Sequence, residues 1–178
     1  MPEALKLYHA PASPNSRRVR MFLAEKGISL PLVSIDLAAG EQHGDAYRAI
    51  NPRRVVPTLV LEDGTAIGEV LAIWRYLEEA YPATPLLGTT PKDKALVTMW
   101  ERRAELEGFA AVMEGVRNAA PRLAGHAIAG PTTTRRSRNW SSAASAGSQT
   151  STATWMRGWR KSPSSRARVF PGPTSPPW

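Results

Sequence analysis

Polar and apolar residues alternate over Leu5-Lys6-Leu7-Tyr8, the two-residue period of a half-buried strand. Pro14 then suits a first helical turn, Val19, Phe22 and Leu23 share one helical face, and Gly27 supplies a stop. Leu30 to Ile35 predicts a second strand, and Tyr47 to Ile50 a short helix closed before Asn51-Pro52. Thr58 to Leu61 and Thr65 to Ile67 flank Glu62-Asp63-Gly64, the pattern of a β-hairpin with a glycine in its turn. Val70, Ile73, Trp74 and Leu77 recur at helical spacing and end near Tyr81-Pro82. The order βαβα then ββα within about 80 residues predicts a small α/β sandwich.

A proline-bearing linker, Pro82 to Gly88, leads to Thr90-Pro91-Lys92-Asp93, which has a capping threonine, proline at the first helical position and an acid in the first turn. A long helix is predicted from there to about Asn118, with Leu96, Met99, Trp100, Arg103, Leu106 and Phe109 near one stripe. The pattern breaks at Gly130-Pro131. Residues 131–178 contain 10 Ser, 7 Thr and 6 Pro, with no Leu or Ile, and carry no apolar period. A segment of that kind cannot bury enough apolar surface to offset its ordering entropy, and a disordered tail is expected.

Charge follows the same division. The net charge of +8 suggests a nucleic-acid binder until it is mapped along the chain. Residues 1–130 hold 15 basic and 15 acidic side chains and are neutral, while residues 131–178 hold the other 8 basic residues and no acid. No groove-reading element accompanies that tail, so nucleic acid is not an expected partner. The chain has no cysteine, which excludes disulfides, thiolate metal sites and Cys-x-x-Cys redox chemistry. Three scattered histidines (His9, His43, His126) argue against a dedicated metal site. No apolar run reaches the roughly 18 residues of a membrane span, and the first ten residues lack the form of a signal peptide, so a cytoplasmic location is expected.

Three stretches, in this order and spacing, resemble the cytosolic glutathione transferases: Ser13-Pro14-Asn15-Ser16 through Gly27, Asn51-Pro52-Arg53-Arg54-Val55-Val56-Pro57-Thr58-Leu59, and Asp63 through Glu69 leading into Ile73 to Leu77. The linker and Arg102 to Leu106 are most similar to fungal-type and bacterial relatives with an atypical active site. The resemblance covers residues 5 to about 118. It implies a thioredoxin-like, glutathione-binding domain over 1–82, the start of an all-α C-terminal domain over 83–130, and beyond it the tail. In the tail, three stretches (131–142, 154–161 and 169–177) read in an alternate codon frame resemble the family's helical domain, so a frame shift is expected and the helical domain is expected to be incomplete.

The resemblance also assigns chemistry. A cis Val56–Pro57 bond would leave the Val56 N–H and C=O free to pair with the cysteinyl part of glutathione. Glu69 would meet the ligand's α-amino group, and the backbone N–H groups at Val70 and Leu71 would meet its γ-glutamyl carboxylate at the positive end of a helix. Many relatives carry Ser or Thr at the place of Val70, so the hydroxyl donor is missing here. His43, beside Gln42, would reach the glycyl carboxylate. Catalysis in the family makes the ligand's thiol a thiolate, the effective nucleophile. Ser13 matches the serine of the serine-type classes, and Asn15 or Ser16 could substitute for it. Arg54 stands where relatives usually have glycine.

The expected function is transfer of the glutathione thiolate to small hydrophobic electrophiles, a detoxification chemistry, with glutathione as co-substrate, no metal, and the homodimer usual in the family. The alternative is an inactive glutathione-binding remnant, because the helices that wall the electrophile site are interrupted.

Overall fold

The structure is a computed structural model that describes residues 5–121. The expectations for a disordered, frame-shifted tail over 131–178 lie outside the described residues. The chain divides into two compact units, which among the described residues comprise 5–98 and 99–121.

In the first unit, β1 (Lys6–His9), β2 (Leu32–Ser34), β3 (Thr58–Val60) and β4 (Ala66–Gly68) form one sheet in the order β2-β1-β3-β4. β1 runs parallel to β2 and antiparallel to β3, and β3 is antiparallel to β4. Three helices complete the unit: α1 (Pro14–Lys26), α2 (Asp45–Ile50) and α3 (Val70–Ala80). This is the small α/β sandwich that the element order predicts, with the thioredoxin-like sheet that the family resemblance implied. The second strand is shorter than expected because Pro31 has no N–H to give to a ladder. Its carbonyl still accepts from Leu7 N–H at 2.9 Å, so the pairing begins at Pro31 although the strand does not.

Alternation along β1 decides which side of the sheet each residue covers. Leu7 joins Val19, Phe22, Leu23, Leu59, Val70, Ile73 and Leu77 in the main core, where the sheet meets α1 and α3. Tyr8, pointing the other way, packs with Ala10, Ile35, Tyr47 and Val56 on the side of α2. Each large aliphatic side chain buried this way contributes about 1.5–3 kcal/mol. Stacking of Phe22 on Trp74, 5.3 Å between centroids and 14° between planes, ties α1 to α3.

The helix ends follow their sequence signals. Ser13 Oγ accepts the Ser16 N–H at 3.3 Å and caps α1. Gly27, at φ 67°, closes it in the left-handed conformation, and Ile28 N–H reaches back to the Leu23 carbonyl. Between α3 and the next helix, Glu78 organises the linker. Its Oε1 accepts the Leu86 and Leu87 N–H groups, both at 2.7 Å, and its Oε2 takes Lys26 Nζ at 2.7 Å. Lys26, whose side chain is fully buried, also donates to the Thr84 carbonyl at 2.7 Å.

Thr90 caps α4 (Pro91–Arg103) as expected, accepting the Asp93 N–H at 3.1 Å. The second unit begins within α4. The uninterrupted helix expected to Asn118 is instead broken by a π-helical stretch, Ala104–Ala110, before α5 (Ala111–Ala119). Widening the turn shifts the stripe drawn at α-helical spacing, and Leu106, placed on it by the sequence, is 57% exposed.

Candidate functional site

Strand register gathers the predicted residues at one end of the sheet. β1 and β2 run parallel with His9 opposite Ser34, so the Ala10–Ser13 loop and the loop after β2 leave from the same edge. Tyr8 faces Thr58 across the antiparallel pair, which brings the Val55–Pro57 turn to that edge as well. Thr58 in turn faces Gly68, so Glu69 and the start of α3 follow there.

The Val56–Pro57 bond is cis. Val56 is buried, and neither its N–H nor its C=O has a hydrogen-bond partner among the described residues. Glu69 occupies the N-cap position of α3 at φ 70° and ψ 126°, a left-handed φ that costs a non-glycine residue of order 1–3 kcal/mol. Its side chain is exposed and lies 3.8 Å from Arg53 Nε, an equally exposed partner. Such a pair is worth at most about 1 kcal/mol, so the carboxylate is not committed to it. No side chain caps the first N–H groups of α3, at Val70 and Leu71.

The three candidates near α1 are separated by the fold. Ser13 is half-buried, and its oxygen accepts from Ser16 N–H, which leaves the hydroxyl proton free to be given elsewhere. Asn15 is half-buried and its Oδ1 takes Arg18 Nη1 at 3.3 Å. Ser16 is wholly buried and its Oγ accepts the Ala10 N–H at 3.2 Å, which pins the start of the loop to α1. A second tie comes from Arg20, which donates to the Ala10 and Pro11 carbonyls at 3.3 and 3.1 Å and stands 3.0 Å from His9 Nδ1. Burial, and then the Arg20 charge, lower the His9 pKa, so the ring is neutral near pH 7 and Nδ1 accepts.

His43 ends a short 3₁₀ turn, Glu41–His43, and is exposed, its Nε2 3.1 Å from Gln42 Nε2. The loop before it closes on itself. Asp36 Oδ1 accepts from Ala38 and Ala39 N–H, while Glu41 Oε2 accepts from Asp36 N–H.

Arg54 is the other non-glycine residue at positive φ among the described residues, at 56°, which explains why glycine is the usual choice at this place. Its Nε is buried without a partner. Arg54→Gly is expected to stabilise the fold by about 0.5–1 kcal/mol, the left-handed cost less glycine's greater unfolded entropy. Urea unfolding checks this, and an unchanged or lower midpoint would refute it.

Sequence reasoning missed Tyr47, Asn51 and Thr58 as a unit. All three are buried, and their polar atoms converge on the Val55 carbonyl. Asn51 and Thr58 lie in the Asn51–Leu59 motif, but nothing in the sequence marks them or Tyr47 as partners of one carbonyl. Among the described residues no cluster of His, Asp and Glu could hold a metal ion, and no helix is long and apolar enough to cross a membrane.

The thioredoxin-like sheet, the cis-proline turn and an acid at the N-cap position of α3 are features that the resemblance to the glutathione transferases implied, and comparisons with known proteins point to the same family. Residues 7–85 match the family model for the glutathione S-transferase N-terminal domain. Glutathione S-transferase 2 of Saccharomyces cerevisiae is 38% identical over 125 residues, 69% of this chain and 54% of that protein. Maleylacetoacetate isomerase of Rattus norvegicus is 42% identical over 95 residues, 52% of this chain and 44% of that protein. The crystal structure of a glutathione S-transferase domain-containing protein from Marinobacter aquaeolei superposes with a TM-score of 0.77 at 31% identity, covering 88% of this chain and 75% of that one. The chain belongs to the glutathione S-transferase family. It spans about half the length of the curated relatives it matches.

Proposed function

We propose that the chain binds glutathione at this edge of the sheet and transfers its thiolate to small electrophiles. The observation that carries the reading is the register, which brings the unpaired Val56 backbone, Glu69 with the open N–H groups of α3, and the Ser13 loop to one place. Val56 would pair with the cysteinyl backbone, and Glu69 with the α-amino group. The γ-glutamyl carboxylate would sit on the Val70 and Leu71 amides, and the glycyl end would lie toward His43. These assignments leave the thiol near the Ala10–Ser13 loop. Ser13 is the donor best suited to stabilise a thiolate there, since its proton is uncommitted, with Asn15 next. Ser16 is the weakest of the three, its hydroxyl enclosed behind the loop.

Retention on immobilised glutathione together with a conjugation assay on the same sample tests this reading. Retention with turnover supports transfer, and retention without it selects the inactive glutathione-binding alternative. Failure of both removes the proposal. The relative named maleylacetoacetate isomerase motivates a second reading, isomerisation of that substrate, which direct assay distinguishes.

Ser13→Ala is expected to reduce turnover more than glutathione affinity, because a donor to the thiolate favours the reactive form over uniform binding. It should also cost about 1 kcal/mol of stability through the lost cap. A normal rate and an unshifted thiol pKa in the complex would move the role to Asn15 or to water.

A further inference from the structure

Behind the Val56 turn lies a set of polar groups that the proposed chemistry does not use. Tyr47 Oη stands 2.7 Å from the Val55 carbonyl and 2.9 Å from Thr58 Oγ1. Asn51 Nδ2 donates to the Val55 carbonyl at 3.0 Å and to Thr58 Oγ1 at 2.8 Å. Thr58 Oγ1 is itself 3.4 Å from that carbonyl, and Asn51 Oδ1 accepts the Arg53 N–H at 3.0 Å. The three residues are 3%, 7% and 1% exposed, so water cannot supply what they lack.

One arrangement of protons satisfies every member. Tyr47 gives its proton to the Val55 carbonyl, Asn51 gives one amide proton to that carbonyl and one to Thr58 Oγ1, and Thr58 gives its proton to Tyr47 Oη. Both lone pairs of the Val55 oxygen are then occupied. Burial raises the Tyr47 pKa above the ordinary phenol value, against the hydrogen bonds from Thr58 and Asn51, so the phenol keeps its proton at neutral pH.

We propose that Tyr47, Asn51 and Thr58 are positioning residues whose joint grip on the Val55 carbonyl aims the Val56 N–H at the backbone of a peptide ligand. The Val55–Val56 peptide is planar and trans, so its C=O and N–H point in opposite directions. Holding the carbonyl inward with two filled lone pairs fixes the plane and turns the N–H outward, where none of the described residues offers it an acceptor. An unpaired, pre-aimed donor needs no reorganisation when a ligand carbonyl arrives, which is how preorganisation raises affinity. The inference rests on the glutathione reading for the identity of the peptide, but the grip on the turn is a property of this chain alone.

Thr58→Val and Thr58→Ser separate aiming from packing. Valine keeps the volume and loses the hydroxyl, whereas serine keeps the hydroxyl and loses a methyl group. Aiming predicts that Thr58→Val raises the glutathione Kd and KM roughly 3- to 10-fold, the scale of one hydrogen bond, with kcat unchanged. Thr58→Ser should stay within about twofold of the parent. A purely structural role predicts the reverse order, with serine the weaker variant, and that order or equal affinities in all three would overturn the proposal. Thermal melts of each sample establish that the compared proteins are folded. Should the parent chain not bind glutathione, the function reading fails by itself, and the Val56 amide resonance then decides on the trio. That resonance moves in Thr58→Val and returns in Thr58→Ser if the grip is real, and is the same in all three if it is not.

Discussion

Glu78→Ala is expected to destabilise the chain by about 3–5 kcal/mol, the scale of a buried ion pair broken on one side. The Lys26 ammonium would remain enclosed with the Thr84 carbonyl as its hydrogen-bond acceptor and the Phe22 ring 5.7 Å away, and the Leu86 and Leu87 amides would lose their acceptor. Denaturant unfolding measures the loss, and a midpoint equal to the parent's would refute the account. A double variant, Lys26→Met with Glu78→Gln, should recover much of it, because no uncompensated charge is then left inside. The same carboxylate gives the fold an acid limit. Burial acts to raise its pKa and is the largest single influence, but the hydrogen bonds from Lys26, Leu87 and Leu86 and the Lys26 charge outweigh it and hold the pKa below the ordinary value. A folded-state pKa below the unfolded one means that the stabilisation is fully present above the ordinary carboxylate range. It is lost as pH falls through the lowered folded value.

The second large effect is on binding. Glu69→Ala should weaken glutathione binding by about 1.5–3 kcal/mol, roughly 10- to 150-fold in Kd, as expected for a hydrogen bond to a charged group. Stability should change little, since the exposed contact with Arg53 contributes at most about 1 kcal/mol and alanine inherits the same left-handed backbone. Titration calorimetry beside a thermal melt separates the two. An unchanged Kd would remove Glu69 from the site, whereas a collapse in melting temperature would show that its carboxylate serves the fold.

What the sequence made legible was whatever has a local physical signal. Alternation at Leu5 to Tyr8, Pro14 and Gly27 around α1, and the Thr90 cap each announce their element within a few residues, and each element is present. The 3₁₀ turn at Glu41–His43 is too short to carry a period, and the π stretch at Ala104–Ala110 spans seven residues, too few for its wider turn to show against the α-helical spacing on either side. The long-range ties were invisible for another reason. Lys26 and Glu78 are 52 positions apart, and nothing local to either marks it as a buried partner. Among the candidate residues, Asn15 and Ser16 stood as substitutes for Ser13 because a sequence does not say which way a side chain faces around the first turn of a helix. The strained backbone at Glu69 gave no signal either, while that at Arg54 left one trace, the absence of the usual glycine.

The self-closed loop after β2 makes the edge of the sheet mechanically uneven. On one side the Val55–Pro57 turn is anchored to buried groups of α2 and β3, and the Ala10–Ser13 loop is fastened to α1 by Ser16 and Arg20. On the other, Asp36 and Glu41 bond only to their own loop, at exposed positions. Opening that loop breaks none of the sheet's hydrogen bonds, so it is expected to open locally at a lower free energy than the core. The edge therefore works as a rigid jaw against a yielding one. If glutathione is bound as proposed, a ligand held by the rigid jaw would be able to change at its far end, in length or charge, for the small cost of remaking a loop.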